Sequence, residues 1–103
     1  MRILRIALAA LTLAFATTVF GQQVKLTLWS HWAAEKIKRD FVEDAIKRFE
    51  AANPNVKIEA TWYEKTALYA ALKTALRAGT GPDVFYAEPD QVEYMENGLL
   101  LDL

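Results

Sequence analysis

Between Val24 and Ala87 the spacing of apolar residues switches repeatedly between two periods, and this alternation restricts the possible folds more than any other feature. In "VKLTLW", residues 24–29, apolar and polar side chains alternate, as in a strand whose successive side chains point to opposite faces. Residues 35–52 place Ile37, Phe41, Ala45 and Phe49 at steps of four, with Val42 and Ile46 beside them, so an amphipathic helix is expected. The charges of "EKIKRDFVEDAIKRFE" then form its solvated face. Asn53-Pro54-Asn55 stops that helix, because a residue before proline disfavours the α region and Asn suits turns. "VKIEATW", residues 56–62, alternates again as a second strand.

Residues 66–78 put Leu68, Leu72, Ala75 and Leu76 on one face of a second helix, with Thr66 as N-cap and Gly79 free to take the left-handed conformation after its end. "DVFYA", residues 83–87, reads as a third strand. A short helical piece from Pro89 to Glu96 follows, ended by Asn97-Gly98. The order β-α-β-α-β predicts an α/β fold with parallel strands joined by right-handed crossovers. Lys25 and Thr27 fit less well, because buried parallel strands usually read as unbroken apolar runs.

The first 21 residues have another character. Arg2 and Arg5 flank the start of "IALAALTLAF", and Ala14-Phe15-Ala16 and Val19-Phe20-Gly21 offer cleavage patterns. This is the layout of a signal peptide, expected to be cleaved after Gly21, and its apolar core is shorter than the roughly 20 residues that span a bilayer. An uncleaved anchor is the alternative. Two of the 12 basic side chains lie in this segment and none of the 13 acids do, so residues 22–103 are mildly acidic. That remainder is one small domain, expected in the periplasm. The chain closes on the apolar run "GLLLDL", and three strands fall below the usual four to six, so a fragment of a longer protein is expected.

Composition removes several functions. No block of lysine and arginine marks a nucleic-acid surface. Cysteine is absent and His31 is the single histidine, so neither a thiol nucleophile nor an ordinary metal site is available. No cofactor is expected. Gly79-Thr80-Gly81 is not a phosphate cradle, because it closes a helix and leads into a strand, the reverse of the order that aims N–H groups at an anion. Glu88 and Asp90 are an acid pair, yet two residues apart in a loop they are not assured of flanking a glycosidic bond, and no enzyme is expected.

In open parallel sheets ligands bind outside the carboxyl ends of the strands. The first strand runs out into Trp29-Ser30-His31-Trp32, the second into Trp62-Tyr63-Glu64 and the third into Tyr86-Ala87-Glu88-Pro89-Asp90. Aromatic rings beside hydrogen-bonding groups suit a sugar, whose ring faces are apolar and whose rim is hydroxyl. Trp29 and Trp62 serve equally well as core rings, His31 as a helix cap and Glu64 as a solvated acid.

"VKLTLWSHW", "IKRFEAANPNVKIEATW" and "ALKTALRAGTGPDVFYAEPDQVEYMENGLLLDL" together resemble the N-terminal part of family 1 extracellular solute-binding proteins, the maltose-binding-protein-like receptors of ABC importers. The resemblance covers the whole chain after the signal, and "FEAANPNVK", "GTGPDV" and "ENGLL" are specific in combination. It implies the start of lobe 1 of a periplasmic-binding-protein type II fold, with the second lobe and the hinge absent. It also implies capture of a small solute, expected to be a sugar, between two lobes and delivery to permease subunits in the inner membrane. Glycerol phosphate, a polyamine, or an exported glycoside hydrolase fragment are the alternatives. Positions implied to bind ligand are Ser30, His31, Trp32, Tyr63, Glu64, Glu88 and Asp90, and Tyr86 joins them from its place at a strand exit.

Overall fold

Among the described residues three parallel strands carry the fold: β1 (Val24–Ser30), β2 (Val56–Trp62) and the two-residue β3 (Val84–Phe85). The computed structural model describes residues 21–88 and 91–103, so the expected leader up to Phe20, together with Pro89 and Asp90, lies outside the described residues. The strand order is β2-β1-β3, with Val24 opposite Val56 through Ser30 opposite Trp62, and Leu28 and Trp29 opposite Val84 and Phe85. Helices α1 (Lys36–Ala52) and α2 (Lys65–Ala78) make the two crossovers, and a single turn, α3 (Glu93–Glu96), follows β3. Because the first crossover steps to one side of β1 and the second to the other, right-handed connections put α1 and α2 on opposite faces of the sheet.

The face under α2 holds the core. Leu68, Leu72 and Tyr94 are its buried apolar side chains, with Trp29, Tyr63, Tyr69, Leu76, Phe85 and Leu99 packed around them. The Tyr94 ring meets Phe85 edge-on, with centroids 6.1 Å apart. The two polar interruptions of β1 have partners, one on β2 and one just before β3. Lys25 pairs with Glu59 of β2 at 2.7 Å. Thr27 forms a reciprocal clamp with Asp83: its N–H donates to Oδ2 at 2.8 Å, its hydroxyl to the same oxygen at 3.0 Å, and the Asp83 N–H donates back to Thr27 Oγ1 at 3.0 Å. Those bonds, Thr27 foremost, hold the Asp83 carboxyl below the usual carboxylate range.

Four expectations are revised. The expected apolar face of α1 divides: Val42, Ala45 and Ile46 are half-buried, whereas Ile37 and Phe41 are 88% and 71% exposed and Phe49 is exposed as well. Two acids on α1 find donors on β2 instead. Trp62 Nε1 donates to Glu43 at 3.1 Å, and Glu50 accepts from the Ile58 N–H at 3.4 Å and pairs with Lys57 at 3.0 Å. β3 keeps two residues of the expected five, because Asp83 is committed to Thr27 and β1 ends at Ser30, leaving little ladder to join. α2 starts at Lys65, before the expected Thr66 cap, and Glu64 in extended conformation is its N-cap residue, without a side-chain bond. α3 begins only at Glu93.

The stops read from sequence hold. Asn53 donates its backbone N–H and its side-chain amide to the Phe49 carbonyl, both at 2.9 Å, ending α1. Gly79 ends α2 at φ 71°, left-handed, with its N–H on the Ala75 and Leu76 carbonyls.

Candidate functional site

The order β2-β1-β3 places a topological switch point between β1 and β3, where the chain leaves on opposite faces and a crevice opens at the carboxyl ends. Three backbone bonds tie the exits together there. The Tyr63 N–H donates to the Ser30 carbonyl at 2.8 Å, the Ala33 N–H to the Tyr63 carbonyl at 3.3 Å, and the Tyr86 N–H to the Trp29 carbonyl at 2.9 Å. Arg39 of α1 reaches back to donate to the Ala33 carbonyl at 2.6 Å, which folds the loop after β1 onto its own helix.

On that frame three rings converge. His31 and Tyr86 lie 4.6 Å apart between centroids, Trp32 and Tyr86 5.4 Å, and His31 and Trp32 5.7 Å, all inclined or edge-on. A cavity of about 210 Å³ opens beside them, lined by Ser30, Trp32, Val42 and Tyr86 among others. It is smaller than the roughly 300–1,000 Å³ of drug-sized pockets, and Leu28, Val84 and Phe85 add to its mostly apolar lining. Ser30 Oγ and His31 Nε2 are buried without a hydrogen-bond partner, although buried polar atoms are normally satisfied. His31 does not cap α1, since Glu35 is the N-cap residue.

The β3 exit adds charge. Glu88 Oε1 lies 2.7 Å from Lys65 Nζ, the first residue of α2. The Lys65 hydrogen bond first, and then its charge, a Tyr69 hydroxyl bond and His31, hold the Glu88 carboxyl below the ordinary range, against the opposing effect of its burial. Lys65 also lies 5.9 Å from the Tyr69 ring centroid, and Lys38 lies 5.7 Å from that of Trp32.

The structure therefore brings Ser30, His31, Trp32, Tyr86 and Glu88 to one edge. Tyr63 turns toward the core, its ring 5.3 Å from Trp29, and Glu64 is exposed. Asp90 lies outside the described residues. Lys65, Tyr69 and Val42 belong to the neighbourhood without having been expected there. Lys65 had a readable signal, because it immediately follows the second strand's exit in "WYEKTALY". Among the described residues no group of His, Asp and Glu side chains is placed to hold a metal, and no helix is long and apolar enough to cross a membrane.

Compared with known families, residues 32–103 match the family model described as Bacterial extracellular solute-binding protein. No curated protein and no solved structure matches the chain.

Proposed function

The chain belongs to the bacterial extracellular solute-binding protein family, and from that premise we propose that its β1 and β3 exits form part of the capture site of a periplasmic receptor for a carbohydrate importer. In this reading residues 1–21 are the export signal, residues 22–103 are the start of lobe 1 of a type II binding-protein fold, and permease subunits of an ABC transporter receive the solute. Ser30, His31, Trp32, Tyr86 and Glu88 contact it, Tyr63, Glu64 and Asp90 flank it, and no chemistry is done on it.

The observation that carries the proposal is the pairing of ring faces with buried, unpartnered polar atoms. Trp32 and Tyr86 offer apolar surfaces 5.4 Å apart between centroids, and Ser30 Oγ and His31 Nε2 stand beside them without partners. A sugar answers both, stacking its C–H face on a ring while its hydroxyls occupy the polar atoms. A hydrolase reading fares worse, because a general acid must hold its proton at neutral pH, whereas Glu88 is driven the other way by Lys65. The test is a titration of the intact gene product with a panel of neutral mono- and disaccharides, followed by tryptophan fluorescence. A saturable response to at least one sugar is expected; a flat response to the whole panel would overturn the sugar assignment.

A further inference from the structure

Residues 31–35 join β1 to α1, and two of the three rings at the strand exits, those of His31 and Trp32, ride on them. The backbone of this loop holds itself weakly. The Ala33 N–H donates to the His31 carbonyl at 2.9 Å and to the Tyr63 carbonyl at 3.3 Å, and the Glu35 N–H donates to the Trp32 carbonyl at 3.2 Å. Glu35, the N-cap residue of α1, forms no side-chain bond to the start of its helix. The shortest bond to the loop backbone comes from one turn into α1, where Arg39 Nη1 donates to the Ala33 carbonyl at 2.6 Å. A charged donor makes such a bond roughly twice as strong as a neutral one. Other cations of α1 pair with acids, Lys36 with Asp40, Lys38 with Glu35 and Arg48 with Asp44. Arg39 is half-buried and meets a carbonyl.

We propose that Arg39 is a positioning residue of the solute site, a strut from α1 that fixes where His31 and Trp32 stand against Tyr86. This rests on reading the strand exits as the solute site. Ala33 directly follows Trp32, so a bond that fixes its carbonyl also fixes the short stretch of chain from which both rings project. The His31 and Trp32 rings then lie 4.6 and 5.4 Å from that of Tyr86, which leaves β3. Rings already in place when the solute arrives need no ordering on binding, so the strut contributes to affinity through them. Glu43, one turn further along α1, accepts from Trp62 of β2 and anchors the same helix at another point.

The experiment uses the intact gene product as wild type, Arg39→Met, Arg39→Lys and Glu43→Ala. Methionine keeps an unbranched apolar stem and deletes every donor, so the packing of the stem is retained. Without any solute, nuclear magnetic resonance follows the Trp32 indole N–H, the ring signals of His31 and Tyr86, and the cross-relaxation among the three rings. Arg39→Met should shift these signals and weaken the cross-relaxation, and Arg39→Lys, which keeps a cationic donor, should restore them. Glu43→Ala releases α1 from Trp62 and should leave them in place. Calorimetric titration with D-glucose, D-galactose and sucrose reads the effect on binding. Arg39→Met should lose about tenfold in affinity, the equivalent of one hydrogen bond to a charged group, while Glu43→Ala keeps wild-type affinity. Ring signals unmoved in Arg39→Met, or moved equally in Glu43→Ala, overturn the proposal, and so do rings that move while affinity stays unchanged. A wild-type protein that binds none of the three sugars speaks against the receptor reading instead, and the solute-free ring signals then decide on Arg39. If Arg39→Met does not fold, Arg39→Gln, with its shorter stem, takes its place, and unmoved rings overturn the proposal equally.

Discussion

Replacing Leu72 by Ala is the sharpest test of how the packing under α2 holds the strand exits in place. Leu72 is fully buried, and with Leu68 and Tyr94 it makes up the buried apolar set among the described residues. It packs within the cluster that includes Trp29, Tyr63, Tyr69 and Phe85, so it fastens α2, which carries Lys65 and Tyr69, to the strands that carry the site. Truncation removes three carbons at roughly 0.8 kcal/mol each and leaves a cavity, for a total of about 3–5 kcal/mol. At roughly 0.05–0.15 kcal/mol per residue, about 80 residues contribute some 4–12 kcal/mol, so this one change removes a large share of what they supply. At about 4–8 °C per kcal/mol in a domain this small, the melting temperature should fall by roughly 12 °C or more. Leu101, 84% exposed, is the control, and Leu101→Ala should stay within about 0.5 kcal/mol of wild type. Urea and thermal melts followed by circular dichroism measure both. Coincident midpoints for the two variants would refute the assignment of the core to the α2 face.

Acid should weaken the fold by a route with a definite sign. Asp83 and Glu88 are both held below their ordinary values when folded, so their contribution is complete above about pH 4, where unfolded carboxyls titrate, and fades as pH falls through the folded values. Asp83→Asn should flatten that acid limb in a series of melts from pH 6 down to 2.5, and an unaltered limb would count against the Thr27 clamp. Gly79→Ala forces a side chain into the left-handed region at φ 71° and should cost about 1–2 kcal/mol in a urea melt, with Gly79→Asn costing less. Trp62→Phe removes the donor to Glu43 and should cost about 1–2 kcal/mol while leaving sugar titrations unchanged. Trp32→Ala removes a ring face at the cavity and should weaken sugar binding about tenfold, which a fluorescence-independent calorimetric titration checks.

What could be read from the sequence is what local physics decides. Alternation in "VKIEATW" gave β2 its bounds, and Asn53-Pro54 and Gly79 stopped their helices because their backbone preferences act without help from the rest of the chain. The rotation of α1 was not legible. Hydrophobic spacing nominates Ile37, Phe41, Ala45 and Phe49 with Val42 and Ile46, but it does not say that only Val42, Ala45 and Ile46 are half-buried, on the helix whose Glu43 and Glu50 accept from Trp62 and Ile58. The strand order was likewise hidden, since two crossovers of similar length fit either side of β1. The site was legible at the level of strand exits and no finer. That Tyr63 turns to Trp29 while Tyr86 turns to His31 depends on which sheet face each side chain meets. The two glycines around Thr80 show the same division: the φ of Gly79 was readable, but the approach of Gly81 to Leu76, where an added Cβ would lie 2.6 Å from Cδ2, needed the folded chain.

If solute is held at the exits of β1 and β3, as proposed, the three tryptophan indoles report on it separately. Trp32 stands at the cavity with His31 and Tyr86, Trp62 donates to Glu43, and Trp29 packs on Tyr63. Nuclear magnetic resonance of the intact gene product, titrated with a sugar that binds it, follows all three indole N–H signals at once. The Trp32 signal should shift saturably together with His31 and Tyr86 ring signals while the Trp62 signal stays in place. Movement of Trp62 with Trp32 unmoved would contradict the account.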